Sequence, residues 1–374
     1  MISVLFLIPT LDRGGAENVL VDLVNHMDQS KFQITVQTLF DKGAQKDRLR
    51  EGIEYKTFLY HQFHGNSRLQ SVIPAGLLYR LIVRKRYDIV VSYLEGPTTH
   101  ILSGCPYRDS KKVAWVHSAL DTGRGFSAGF VSKRAALKAY EQFDRVAFVA
   151  KTVWKKIEET AGTPFQNACV LYNTIDTGEI LAGSREELTD ASYPTDEFCI
   201  ISTGKITPVK GYDRLARVQR RLIAAGYKTH VFVLGEGKDR DVIEAYASEN
   251  GIADSFTFLG FQKNPYKYVS RADLFVCSSR REGFSTAVSE ALVLGVPVVS
   301  TNCSGAYELL GEHDEYGIVT ENDEDALYEG IKSLLDDPER LIYYRKQAQI
   351  RGKDFSGKNT AKAVEDMLHR VLGE

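Results

Sequence analysis

The sequence predicts an α/β protein built from two parallel-sheet domains, and three observations carry that reading. Short apolar runs recur along both halves of the chain with amphipathic segments between them. Several runs, such as residues 4–8 and 89–91, are continuously apolar, as a strand buried on both faces of a parallel sheet must be. A length of 374 residues suits two domains of ordinary size, each able to bury a core.

In the first half, strands are expected at residues 2–8, 33–39, 55–59, 88–93, 112–116, 145–149 and 168–171. Helical patterns fall between them, notably at 16–27 and 127–143. The polar stretch 178–197 has no strand pattern and carries Gly183, Ser184, Ser192 and Pro194. It reads as a connection, so the domains are expected at 1–178 and 198–354 with 179–197 as linker. The second strand series runs through 198–203, 230–234, 257–259, 274–277, 298–300 and 317–320. Two Rossmann-like sheets facing each other across a cleft are the expected architecture. A last helical segment at 358–372 follows a break at 355–357.

Composition excludes several classes. Hydrophobic residues at 43% and charged residues at 26% are those of a globular protein, and no apolar run reaches the roughly 18 residues of a membrane span. The start, MISVLFLIPT, lacks a basic region and a small-residue cleavage site, so it reads as a first strand and not as a signal peptide. Five cysteines without metal-ligand spacing read as reduced thiols, mostly in apolar runs, and a cytoplasmic setting is expected. Net charge is −2 but unevenly spread. Residues 1–178 hold 23 Lys plus Arg against 17 Asp plus Glu, and the remainder holds 24 against 32. A basic first half points to an anionic surface or acceptor there. Basic clusters at Arg80, Arg84, Lys85 and Arg86, and at Lys133, Arg134 and Lys138, fall in apolar helical segments and read either as solvated helix faces or as peripheral contacts with an anionic membrane. No stacking aromatics accompany them, so nucleic acid is not an expected partner.

The stretch with most chemistry is ADLFVCSSRREGFSTAVSEALVLGVPVVST, residues 272–301. It reads strand, helix, strand, with Ser285 as helix cap and Gly295 with Pro297 as stop. The loop after the first strand lies at the carboxyl edge of the sheet, where ligands bind. The amides of Gly283, Phe284 and Ser285 at a helix N-terminus suit phosphate, with Thr286 beginning the helix. Glu282 at that mouth, and Glu290 about 7.5 Å further along the helix than Ser285, suit hydroxyl groups. A nucleotide sugar carries both phosphate and hydroxyls. Opposite, the first strand of the second half runs into Gly204-Lys205-Ile206-Thr207-Pro208-Val209-Lys210-Gly211, whose two lysines can stabilise a departing diphosphate.

Two glutamates in the setting E-G-F-S-T-A-V-S-E-A-x-x-x-G-V-P-V-V resemble the signature of retaining glycosyltransferases of family 4, which have the glycosyltransferase B fold. The resemblance implies a retaining, metal-independent transfer of a hexose or N-acetylhexosamine from a nucleotide diphosphate sugar, by family frequency UDP-linked. The acceptor would be a glycan or lipid-linked glycan in bacterial polysaccharide assembly. No cofactor and no metal are implied. The family places arginine where this chain has Lys205, which keeps the charge but loses the fork geometry. The resemblance assigns catalytic roles to Glu282, His117, Lys210 and Lys205. Donor contacts would come from Gly15 in the G-G-A-E run, Gly204, Gly235 in G-E-G, Gly260, Phe261, Gly283, Phe284, Ser285, Thr286 and Glu290. Asp12, Glu95 and Ser118 are candidates for the acceptor. Asn173 and Asp176 resemble a hinge motif, and the 355–374 segment would return to the first domain. Rival readings are a nucleotide-sugar epimerase or a phosphorylase of the same fold, and a catalytically silent sugar-nucleotide-binding partner of a transferase.

Overall fold

The computed structural model describes residues 1–12, 14–59, 70–120, 123–189 and 193–373. Among the described residues thirteen strands form two sheets, and every strand pairing is parallel. The first sheet contains β1 (Ile2–Ile8), β2 (Phe32–Phe40), β3 (Glu54–Leu59), β4 (Ile89–Ser92), β5 (Lys111–Val116), β6 (Arg145–Phe148) and β7 (Ala168–Val170), in the order β3-β2-β1-β4-β5-β6-β7. The second contains β8 (Phe198–Thr203), β9 (Thr229–Leu234), β10 (Phe256–Gly260), β11 (Leu274–Cys277), β12 (Val298–Thr301) and β13 (Ile318–Thr320), in the order β10-β9-β8-β11-β12-β13. Each sheet is therefore doubly wound. The apolar runs fall where burial is complete: Val4, Leu5, Phe6, Leu7 and Ile8 have no exposed surface.

The chain divides into two compact units, Met1–Ile175 with Gly357–Glu374, and Asp176–Ser356. The C-terminal helix, Gly357–Leu372, packs in the first unit against the helix Gly15–His26. Glu365, almost fully buried, accepts the Asp28 amide at 2.7 Å, and His369 meets Phe32 edge-on at 5.3 Å.

Two local expectations differ from the structure. Much of the stretch read as a linker is built into the second unit. Thr177–Ser184 is a helix capped by Asp176, and Asn264 donates to the Gly183 carbonyl at 2.9 Å. Tyr193 stacks on Phe232 and donates to the Tyr268 carbonyl at 3.1 Å. Residues 190–192 of that stretch lie outside the described residues. The polar composition here reflects capping and exposed helix positions, which composition alone cannot tell from a free connection. The helix expected at 127–143 begins only at Lys133, where the Ser132 hydroxyl accepts the Ala135 amide, and ends at Tyr140. The second basic cluster stays helical, but in the first only Arg80 does, since that helix is Ala75–Ile82.

The Glu365 contact generates a stability prediction. Glu365→Ala strips the Asp28 amide of its acceptor and should lower unfolding free energy by about 0.5–1.5 kcal/mol. Urea denaturation followed by fluorescence measures it, and an unchanged midpoint would show that the contact carries no weight.

Candidate functional site

In each sheet the winding direction reverses next to the first strand: between β1 and β4, and between β8 and β11. At such a point the loops leaving the two carboxyl ends diverge and open a crevice. In the second unit these loops are the two that carry the sequence-predicted residues.

After β8 the chain makes a short 3₁₀ turn, Pro208–Lys210, and reverses at Gly211 with φ of 69°. A β-carbon on Gly211 would come within 2.1 Å of the Ser278 carbonyl, so glycine is required by both conformation and space. The Ser278 hydroxyl donates to the Lys210 carbonyl at 2.9 Å. Arg280 completes the join: its amide donates to the Val209 carbonyl at 2.7 Å, and its guanidinium reaches the Pro208 carbonyl at 2.6 Å. The same guanidinium forks onto both oxygens of Asp213 at 2.7 Å. Burial pushes the Asp213 carboxyl up, but Arg280 outweighs it and holds the group down at about 2.

The result of this stapling is one short contact. Lys210 Nζ lies 2.6 Å from Glu282 Oε1, and the Ser279 hydroxyl donates to the same oxygen at 2.6 Å. The lysine side chain is 26% exposed and the glutamate 12%. Burial pulls the Lys210 ammonium down, but the Glu282 carboxylate more than offsets this, and the net shift is upward. Lys210 therefore stays charged. Beneath the pair, the Cys303 thiol bonds to Cys277, which lowers Cys277 and raises Cys303.

Beside them the helix Thr286–Val293 is capped by Ser285, whose hydroxyl accepts the Val288 amide, and Glu290 lies half-buried on that helix. Lys205 is exposed, so the two lysines differ: one is paired, the other open to solvent. The strand-end glycines lie side by side. Gly235 donates to the Gly260 carbonyl at 2.8 Å, and a β-carbon on Gly235 would meet the Gly204 carbonyl at 2.0 Å. Close backbone packing is thus one reason for this glycine pattern. Phe261, next in line, is 42% exposed.

In the first unit β4 and β5 bring Glu95, His117 and Ser118 together. The His117 amide donates to Glu95 Oε2 at 2.9 Å, and Ser118 also bonds to this carboxylate. Burial raises Glu95, with those hydrogen bonds opposing the rise. The His117 ring lies 4.7 Å from Tyr93 and stacks on Trp115 at 6.0 Å. Burial lowers His117 to about 3, so its imidazole is neutral near pH 7. Its Nε2, the Tyr93 hydroxyl and the Trp115 indole N–H are buried without a partner among the described residues. Gly15 opens the helix after β1. Asp12 pairs with Lys42 at 2.9 Å. Arg13 of that loop lies outside the described residues.

Sequence reading missed Ser279, Arg280, Asp213, Tyr93 and Trp115. Arg280 and Asp213 are 67 positions apart, and nothing local marks them as partners. The aromatic pair reads as ordinary strand core, and only the fold puts both against His117.

The Arg280 staple predicts a measurable change. Arg280→Ala should speed hydrogen exchange at the amides of positions 210 and 280 by about tenfold or more, because the loop opens locally. Arg280→Lys keeps charge but not the fork, so its effect should be intermediate. Exchange at both amides equal to that of the unsubstituted protein would remove Arg280 from this role.

Two family models match the chain: "Glycosyltransferase Family 4" over residues 13–179 and "Glycosyl transferases group 1" over residues 184–351. Among curated relatives, a Campylobacter jejuni N-acetylgalactosamine-N,N'-diacetylbacillosaminyl-diphospho-undecaprenol 4-alpha-N-acetylgalactosaminyltransferase is 35% identical over 208 residues. That match covers 54% of this chain and 53% of the relative, so the chain spans about half of that protein's length. The Rhizobium meliloti lipopolysaccharide core biosynthesis glycosyltransferase LpsE is 26% identical over 96% of both chains. Among solved structures, Anabaena HepE in complex with UDP matches with a TM-score of 0.77 at 18% identity, covering 98% of this chain and 100% of that one. WaaG, a glycosyltransferase of lipopolysaccharide biosynthesis, matches at 0.74 and 16%, covering 98% and 99%. With both sheets doubly wound and the two family models spanning most of the chain between them, this protein belongs to the family 4 glycosyltransferases and has the glycosyltransferase B fold.

Proposed function

We propose that this chain moves a hexose or N-acetylhexosamine, with retention at the anomeric carbon, from a UDP-linked donor to a hydroxyl of a glycan or lipid-linked glycan. The setting proposed is bacterial polysaccharide or lipid-linked glycan assembly, in the cytoplasm at the inner face of the plasma membrane. The observation that carries the reading is the Lys210–Glu282 contact of 2.6 Å at the switch point of the second sheet. An ammonium has three donors, so Lys210 can keep Glu282 and still reach a phosphate oxygen. The complexes of HepE with UDP and UDP-glucose and the name of the Campylobacter relative support the donor and acceptor classes.

In this mechanism Lys210, Lys205 and the amides at the Ser285 helix start stabilise charge on the departing diphosphate. That is the charge stabilisation a metal ion would otherwise provide, so the proposal includes no metal, and turnover should survive EDTA. Glu290 holds ribose hydroxyls, Glu282 faces the transferred sugar, and the backbone near Gly235, Gly260 and Phe261 borders the nucleotide. His117, neutral and with a buried Nε2, hydrogen-bonds a hydroxyl of the transferred sugar. Glu95 and Ser118 meet the acceptor.

A double displacement needs a carboxylate on the sugar face opposite the leaving group. Glu282 is bonded to the lysine assigned to the diphosphate, so it belongs on the leaving-group side. A neutral imidazole suits hydrogen bonding better than attack. Front-face departure remains, with a phosphate oxygen of the leaving group taking the acceptor proton.

The test is a panel of nucleotide sugars scored for UDP or GDP release with lipid-linked acceptors, followed by NMR of the product. An α-linked donor should give an α linkage. A β product, or a glycosyl group trapped on any Asp or Glu, would overturn the mechanism, and an isomerised sugar from donor alone would reveal an epimerase.

Single substitutions resolve the roles. Lys205→Ala or Lys210→Ala should each lower kcat/KM by tenfold or more, about 1.4 kcal/mol. Glu290→Ala should weaken binding of free UDP in calorimetry, whereas Glu282→Ala should reduce turnover while UDP still binds. Equal losses of UDP affinity would refute that division of labour.

A further inference from the structure

We infer that the outer face of the helix Ala75–Ile82, together with the turn at residues 130–134, is a docking surface for an anionic phospholipid membrane. The helix buries Leu78, Tyr79 and Ile82 inward. Its outward positions should then be polar. Instead Leu77 and Leu81, four residues apart on one stripe, are 60% and 48% exposed, with Arg80 beside them. Arg84, at the unusual φ of 57°, ends the helix and donates to the Leu81 carbonyl at 2.7 Å.

The turn repeats the pattern. Phe130 is buried, Val131 is 63% exposed, and Lys133 and Arg134 follow on the surface. His100 joins the two segments, with its Nε2 3.0 Å from the Ile73 carbonyl and its ring 5.4 Å from Phe130. The turn is rigidly seated: a β-carbon on Gly129 would strike the Pro97 nitrogen at 2.6 Å.

Charge selects the occupant. Residues 70–87 contain four Lys or Arg and no acid, and residues 122–140 contain four Lys or Arg and no acid. On the rim, Asp109 lies 3.4 Å from Arg86. Apolar side chains set singly in a basic field suit a lipid headgroup region, where cations meet phosphates and leucines dip toward the acyl boundary. A second copy of this chain would bring two positive faces together, which charge repulsion opposes. The turn packs on Gly96–Pro97, next to Glu95, so docking here holds the proposed acceptor end of the first unit against the bilayer. The purpose of the surface rests on the lipid-linked acceptor reading, but its existence does not.

Flotation of the whole chain with vesicles tests it. The protein should float with phosphatidylglycerol–phosphatidylcholine vesicles, should bind far less to phosphatidylcholine alone, and should lose binding as salt rises. Two triple variants separate the contributions: Leu77→Ser with Leu81→Ser and Val131→Ser, and Arg80→Glu with Lys133→Glu and Arg134→Glu. All six side chains are exposed, so melting temperatures should hold. Each variant should lower partitioning by about tenfold or more. Turnover of a water-soluble acceptor should be unchanged while turnover of a vesicle-embedded acceptor falls. Flotation of the unsubstituted chain with no turnover of either acceptor would support docking and count against the transferase reading. No flotation with anionic vesicles, flotation of either variant equal to that of the unsubstituted chain, or a dimer that the serine variant dissociates would overturn the inference.

Discussion

Much of the second unit answers to one requirement: an ammonium and a carboxylate, both largely out of water, must meet at 2.6 Å from two different strands. Neither group could be buried alone, because an unpaired charge in that position would be strongly destabilising. The pair therefore depends on the loops that deliver it being held together. Gly211 lets the first loop turn against the second, Ser278 and Arg280 bond across to its backbone, and Ser279 orients the carboxylate. Arg280 has no need to touch a ligand to matter. It ties its own loop to the backbone before Lys210 and to Asp213 after it.

The first unit follows a different logic. There the concentration of burial falls on groups that are neutral or pushed toward neutrality: His117 is lowered and Glu95 is raised. Tyr93 and Trp115 wall the imidazole, and three polar atoms in that aromatic nest lack partners among the described residues. Each such atom costs about 1–3 kcal/mol. Charge handling marks one unit and neutral polar groups mark the other.

The surface adds a third theme. The excess of basic residues in the first half of the sequence is not spread evenly: part of it gathers on one helix and one turn whose outward positions also carry exposed leucine and valine. An exposed apolar residue alone needs no explanation. The recurrence of the same basic–apolar pattern on two segments joined through His100 is what distinguishes this face.

Strand positions, their parallel pairing and the two lysine- and glutamate-bearing loops were legible in the residues, because each depends on local periodicity or on a short motif. Apolar runs marked buried strands to within two residues, as at β1, β8 and β11. The family signature likewise lies within one strand–helix–strand unit. What only tertiary structure decided are relations between residues far apart in the chain. Lys210 and Glu282 were both candidates, but that they form one ion pair followed only once β8 and β11 lay side by side. Arg280 with Asp213, and Tyr93 with Trp115 and His117, have no local pattern to betray them. The 179–197 stretch was misjudged for the same reason: a polar sequence reads alike whether its groups face water or, as at Gly183 and Asn264, a packed neighbour. Periodicity reports which face of a segment is buried, and only the fold reports against what.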